Sequence, residues 1–261
     1  MRMPTIVAFF AALCLSLCAA ATDAAFAQGG EAGGYTTKAQ RAILMDAETG
    51  AVLFQYKADD LAPPASMSKL MTLAVLFREI KSGKVKTSDE FVMSVNAWRK
   101  GGAPSGTSAM FVPVNNKARV DELIQGIAVQ SGNDACIAVA EALGGNEAQF
   151  AKMMTEEARR IGLSKSTFSN ATGLDDANHL MSARELALLA RYIITEYPEH
   201  YPVFGQKEFL YRKHKFFNRN PLLFLNIGAD GLKTGHTTDA GFGLVGSAVQ
   251  DGKRLIMVVA G

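Results

Sequence analysis

Ser66 and Lys69 stand three residues apart near the head of PPASMSKLMTLAVLF (63–77), the only Ser-x-x-Lys in the chain. On a helix that spacing puts both side chains on one face. A serine hydroxyl is a poor nucleophile until an adjacent base takes its proton. A lysine can be that base only when neutral. The position of Lys69 is otherwise unfavourable: the helix dipole disfavours a cation in the first turn, and from Leu70 onward the residues are almost all apolar, as in a buried helix. Burial of an unpaired ammonium is costly. Both penalties lower an ammonium's pKa, so the sequence reads as a base placed to lose its proton.

Two further stretches bear polar groups where the flanking sequence is apolar. Ser131-Gly132-Asn133 interrupts VDELIQGIAVQSGNDACIAVAEAL between two apolar helical runs. Lys233-Thr234-Gly235, followed by His236-Thr237, sits on a strand after Asp230-Gly231. Taken singly, the first is an ordinary turn and the second a strand end. Their occurrence together, in this order behind Ser-x-x-Lys, is a rare accident by composition and groups them with the candidate nucleophile Ser66 and candidate base Lys69. His236 lies beside the third stretch, but no aspartate is arranged to complete a Ser-His-Asp triad. Gly241-Phe-Gly243-Leu-Val-Gly246 matches the dinucleotide fingerprint in letters only. It opens a strand rather than a helix, and the chain ends before the acid such a site needs.

The elements that must hold these residues follow from pattern. RAILMDAETGAVLFQYKAD reads as two strands around a Glu-Thr-Gly turn. Helices are expected over Ser66–Ile80, Val120–Gln130, Ala135–Leu143, Glu147–Ile161 and Ala183–Thr195, the last opened by a capping box at Ser182-Ala-Arg-Glu185. Lys84–Asn116, with Gly101-Gly102 and two prolines, reads as a loop or short strands. GLKTGH, FGLVGSAVQ and RLIMVVA are strands, the last two joined by the Asp251-Gly252 turn of a hairpin. With strands first and last, the simplest closure is an α+β fold in which the N- and C-terminal strands share one antiparallel sheet. Leu255–Val259 is apolar on both faces, so helices are expected on both sides of it.

The 261 residues are 48% hydrophobic and 20% charged with a formal net charge of +2, an ordinary globular balance. There is no basic run with interleaved aromatics, so no nucleic-acid partner is expected. Residues 1–27 read as a secretory signal peptide: Arg2, an apolar Ile6–Ala21 stretch, and Ala25-Phe26-Ala27 before a cut at Gln28. Residues 28–34 form a flexible leader, and 35–261 a single domain. Cys14 and Cys18 leave with the signal. Cys136 remains alone in an apolar helical run and reads as a small buried residue. His179, His200, His214 and His236 show no ligand spacing, so neither metal nor other cofactor is expected. After signal removal no segment is long and apolar enough to span a membrane.

These motifs resemble the low-molecular-mass penicillin-binding proteins, the serine-type D-alanyl-D-alanine carboxypeptidases. The similarity runs from about Tyr35 to Gly261 through PASMSKLMT, QSGNDAC, ATGLDDANHLMSARELA and DGLKTGHTTDAGFGLVGSA. It implies a β-lactamase/transpeptidase-like fold with a mainly helical subdomain. It also implies a periplasmic or cell-wall location, peptidoglycan pentapeptide stems as substrate, and covalent capture of β-lactams. By resemblance, Ser66 attacks the penultimate D-alanine carbonyl with Lys69 as base. Ser131, polarised by Lys233, passes a proton to the departing amine. Asn133 orients Lys69 and holds the stem. Thr234 binds the terminal carboxylate, Gly235 lets the stem lie along the strand edge, and the backbone N–H groups of Ser66 and His236 stabilise the oxyanion. Ser-Gly-Asn in place of Ser-Asp-Asn, and the lack of a Glu-x-x-x-Asn motif, set the chain apart from class A β-lactamases. The family pattern continues past the last strand with a covering helix, a carboxylate-binding arginine, a second domain and an amphipathic anchor. A truncated C-terminus with one exposed apolar sheet face is therefore expected, with no membrane attachment encoded here. An endopeptidase of the same family and a non-catalytic wall-binding protein are the competing readings.

Overall fold

The computed structural model describes residues 36–261; the signal peptide and leader read over 1–34 lie outside the described residues. The chain runs β1 (Arg41–Asp46), β2 (Val52–Tyr56), α1 (Lys69–Lys81), β3 (Glu90–Val92), α2 (Val95–Gly101), β4 (Lys117–Arg119), α3 (Val120–Ala128), α4 (Asn133–Gly144), α5 (Glu147–Arg160), α6 (Ala183–Glu196), β5 (Glu208–Tyr211), β6 (His214–Phe217), β7 (Ala229–Thr237), β8 (Gly241–Gln250) and β9 (Lys253–Ala260). The five-stranded sheet has the order β2-β1-β9-β8-β7 and is antiparallel throughout. The N-terminal hairpin thus closes against the C-terminal strands, and β7 is left at an edge.

The strands alternate as a two-sided sheet must. Met45, Ile256 and Ser247 are opposite one another and buried, whereas Leu44 and Met257, one step along, are half-buried. Helix α6 packs on β1 and β9 with Leu186, Leu189, Ala190 and Ile193 buried. Arg191 Nε fixes it by donating to the Ala47 carbonyl at 2.7 Å. Helix α1 is buried over nearly its whole length and touches α3, α4, α5 and α6. It is the central rod of the helical layer, as its all-round apolar sequence requires.

Three departures from the sequence reading bear on the site. The expected helix over Ser66–Ile80 is two elements, a 3-10 turn at Ala65–Ser68 followed by α1 from Lys69. A 3-10 turn has three residues per turn and eclipses residues i and i+3, so Ser66 stands directly over Lys69. Lys84–Asn116 holds a short strand as expected, β3, which pairs with β4, but also a helix, α2, capped by Ser94 Oγ, which accepts from Ala97 N at 2.9 Å. Seven residues are too few for helical periodicity to show in a sequence.

The third departure is the capping box at α6, of which only half forms. Ser182 Oγ accepts from Glu185 N at 3.2 Å, but the Glu185 carboxylate turns away. It accepts from the backbone N–H of Lys165 at 2.8 Å and Ser166 at 2.7 Å, and from the Ser166 hydroxyl. Glu185 therefore anchors the start of the long connection between α5 and α6. That connection is cross-tied by a two-way bridge between Thr167 and Leu180. Replacing Glu185 with Ala orphans the buried N–H of Ser166, which costs about 1–3 kcal/mol, and the N–H of exposed Lys165, which costs less because water reaches it. Glu185→Ala is thus expected to lower the unfolding free energy by about 2–4 kcal/mol and to raise hydrogen exchange across 164–180, measured by urea denaturation and mass spectrometry.

Candidate active site

The turn that carries Ser66 is held by three surfaces that lack side chains. Gly173, at φ +78°, has no room for a Cβ, which would collide with the Ala65 carbonyl and the Ser68 hydroxyl. A Cβ on Gly235 would sit 3.0 Å from Pro64 O and 3.1 Å from both Ala65 Cβ and Met67 Cγ. A Cβ on Gly243 would meet the Met67 thioether. The α5–α6 connection, β7 and β8 thus close on the 3-10 turn from different sides, and Ala65 is held at φ +49°, a conformation disfavoured for L-residues. The missing side chain of Gly235 would face the turn beneath the strand.

Lys69 is fully buried, yet its Nζ lies 2.7 Å from Ser66 Oγ and 2.5 Å from the Thr172 carbonyl oxygen. Burial lowers its pKa to about 8; the nearby thiol of Cys136 and carboxyl of Asp134 work against the shift, and Arg219 adds to it. Lys233 is also buried, with Nζ donating to the Thr234 carbonyl at 3.0 Å. Burial, and then Lys69 and Arg219, push Lys233 well below the ordinary lysine range. Two ammonium groups cannot both be charged cheaply in one dry space.

Ser131 and Asn133 occupy the tight connection between α3 and α4. Ser131 is held at φ +64°, and its buried Oγ has no hydrogen-bond partner among the described residues; the same is true of Asn133 Oδ1. Strained backbone and unpaired polar atoms cluster where a structure is over-determined for a purpose. Asn133 Nδ2 donates to Thr107 Oγ1 at 2.9 Å rather than contacting Lys69. The expectation that Asn133 orients Lys69 is therefore corrected: that contact comes from the Thr172 carbonyl. Buried Asp134 fixes the neighbouring loop by accepting from Met110 N at 2.7 Å and Val112 N at 3.3 Å.

Ser66, Ser131, Thr234, Gly235 and His236 line one cleft of about 620 Å3, joined by Ser108, Arg219 and Phe242. His236 is exposed, packs against Phe242 with ring centroids 4.2 Å apart and planes tilted by 34°, and has no carboxylate partner among the described residues. Sequence reasoning did not single out Thr172 or Arg219. Thr172 acts through its carbonyl, which no residue type reveals. Arg219 follows the β5–β6 hairpin and spans the cleft mouth, where Nη1 donates to Ser108 Oγ at 2.7 Å.

A cleft-lining serine over a buried lysine, facing the edge strand of an antiparallel sheet, defines a class, and solved structures of that class superpose on this chain. Penicillin-binding protein 5 from Haemophilus influenzae matches with a TM-score of 0.82 and 38% identity over 86% of this chain and 65% of the other. Penicillin-binding protein 6B from Escherichia coli matches with a TM-score of 0.82 and 37% identity over 90% and 75%. The chain belongs to the D-alanyl-D-alanine carboxypeptidase family, Peptidase S11, whose model matches residues 27–261. It is 41% identical to the D-alanyl-D-alanine carboxypeptidase DacC of Escherichia coli over 84% of this chain and 55% of that protein. It is 40% identical to DacA of Haemophilus influenzae over 85% and 57%. The chain thus spans a little over half the length of these curated relatives.

The geometry sets a pH dependence. If neutral Lys69 is the base, the rate of Ser66 acylation rises with pH through about 8 and levels above it; time-resolved labelling across pH 6–10 checks this. Lys69→Arg cannot deprotonate and is expected to lower that rate by at least ~100-fold. Gly235→Ala forces the Ser66 turn to move by tenths of an ångström, and should slow acylation about 10-fold with a lower melting temperature.

Proposed function

We propose that this protein is a serine-type D-alanyl-D-alanine carboxypeptidase. It removes the terminal D-alanine from peptidoglycan stem peptides through an acyl-enzyme on Ser66, and it is acylated there by β-lactams. The observation that carries the reading is the fully buried Lys69 ammonium 2.7 Å from Ser66 Oγ, with its pKa lowered to about 8. A neutral amine at that distance takes the hydroxyl proton as the oxygen attacks the carbonyl between the two D-alanines.

The other groups fall into roles along the cleft. The backbone N–H groups of Ser66 and His236 stabilise the oxyanion, whose charge develops only in the transition state. Ser131, a buried hydroxyl without a hydrogen-bond partner among the described residues, relays a proton to the departing amine, with Lys233 behind it. Thr234 and the Arg219 guanidinium, both lining the cleft, receive the terminal carboxylate. The stem lies along the outer edge of β7, where one side of the strand has no partner strand among the described residues. Asn133 contacts the stem. Water then hydrolyses the ester. A signal peptide over residues 1–27 would deliver the chain to the periplasm or cell-wall space, where such stems are found.

The test uses a fluorescent penicillin and a diacetyl-lysyl-D-alanyl-D-alanine peptide. Intact protein is expected to take one covalent label per chain, lost in Ser66→Ala, and to release free D-alanine. A protein that labels at Ser66 but releases no D-alanine would be a penicillin-binding scaffold rather than a carboxypeptidase. Absence of label would refute the reading.

A further inference from the structure

We propose that Asn170 is a positioning residue for the proposed acylation base: it clamps the peptide plane whose carbonyl orients the Lys69 amine toward Ser66. The inference rests on the serine–lysine reading above and adds a residue to it.

A neutral amine has two N–H bonds and one lone pair. To act as a base on Ser66, the lone pair must face the serine hydroxyl. A carbonyl oxygen can only accept, so the 2.5 Å contact between Nζ and Thr172 O uses an N–H. That fixes one corner of the nitrogen tetrahedron and leaves the lone pair free to turn to Ser66 Oγ, 2.7 Å away. The direction of the Thr172 carbonyl therefore sets the direction of the base.

That carbonyl belongs to the peptide unit between Thr172 and Gly173. In a trans peptide its C=O and N–H point opposite ways. The C=O points to Lys69, and the N–H of Gly173 donates to Asn170 Oδ1 at 2.7 Å. The plane is thus held at both ends. Asn170 Oδ1 also accepts from Thr172 N at 3.0 Å and Thr172 Oγ1 at 2.9 Å, while its Nδ2 donates to the Leu174 carbonyl at 3.0 Å. One side chain collects the turn from 170 to 174 around the carbonyl that meets the lysine. The turn has independent attachments to the helical layer. Thr72 Oγ1 donates to the Ala171 carbonyl at 2.8 Å, and Gly173 is wedged against Ala65. Removing the Asn170 amide should therefore loosen the peptide plane without undocking the loop.

The experiment compares wild type, Asn170→Leu and Asn170→Asp by time-resolved labelling with a fluorescent penicillin over pH 6–10, with melting temperatures measured alongside. Asn170→Leu is expected to lower the limiting acylation rate about 10- to 100-fold while the half-saturating penicillin concentration stays within about twofold. Its acid limb should move to lower pH, because the ammonium form of Lys69 loses an ordered acceptor. Asn170→Asp keeps the acceptor for all three donors. It should recover most of the rate above the limb, with the limb displaced to higher pH by the added carboxylate. Retained acylation in Asn170→Leu would overturn the proposal. So would a loss in both variants that follows the melting temperature with an unmoved pH profile. Failure of wild type itself to label at Ser66 would instead overturn the underlying enzyme reading.

Discussion

The site depends on an ammonium that the fold has taken out of water. Lys69 is fully enclosed at the start of α1, where desolvation outweighs the opposing pull of the Asp134 carboxyl and leaves its pKa near 8. A lysine in water holds its proton up to a pH of about 10.4, and could not serve as a base near neutrality. Burial alone would leave the amine without direction. The Thr172 carbonyl and the Ser66 hydroxyl supply it, one fixing an N–H and the other lying where the lone pair can act. The surrounding structure serves these two contacts.

The scaffold meets that demand by packing backbone against backbone. Gly173, Gly235 and Gly243 belong to three different elements, and each leaves out the side chain that would push the Ala65–Ser68 turn away. The turn is then short enough, as a 3-10 rather than an α-helical start, for Ser66 to stack over Lys69. Because β7 is an edge strand, Thr234 and Gly235 line the cleft, with Lys233 buried beside them, while the outer edge of the strand has no paired strand among the described residues. A central strand could not offer both.

Charge around the cleft is one-sided. Lys69, Lys233 and Arg219 converge there; burial lowers the pKa of both lysines, Arg219 adds to both shifts, and Lys69 adds to that of Lys233. Such a place favours an incoming carboxylate and the negative charge that builds on an attacked carbonyl. The nearest buried carboxylate, Asp134, is occupied by backbone N–H groups of the 110–112 loop. It therefore serves as a structural tie rather than a competing anion in the cleft.

Much of this was legible in the sequence, and the limits have physical causes. The sheet closure, the five long helices and the three motifs could be read because each rests on local periodicity or turn chemistry. The 3-10 start of α1, the short α2 and the half-formed capping box at Glu185 could not, since each is decided by partners distant in the chain. Asn133 lay where expected but makes a different contact, and Gly235 packs on the Ser66 turn. One amide can bond several neighbours, and a glycine shows only that something comes close, not what. Arg219 lay in a stretch with no readable pattern, and Thr172 acts through its backbone. By itself the sequence determined which reactive groups exist and that Ser66 and Lys69 share a turn, because a spacing of three is local geometry. Only the tertiary structure decided the protonation and aim of the lysine. Its burial, and a carbonyl 103 residues away, are properties of packing and not of any one segment.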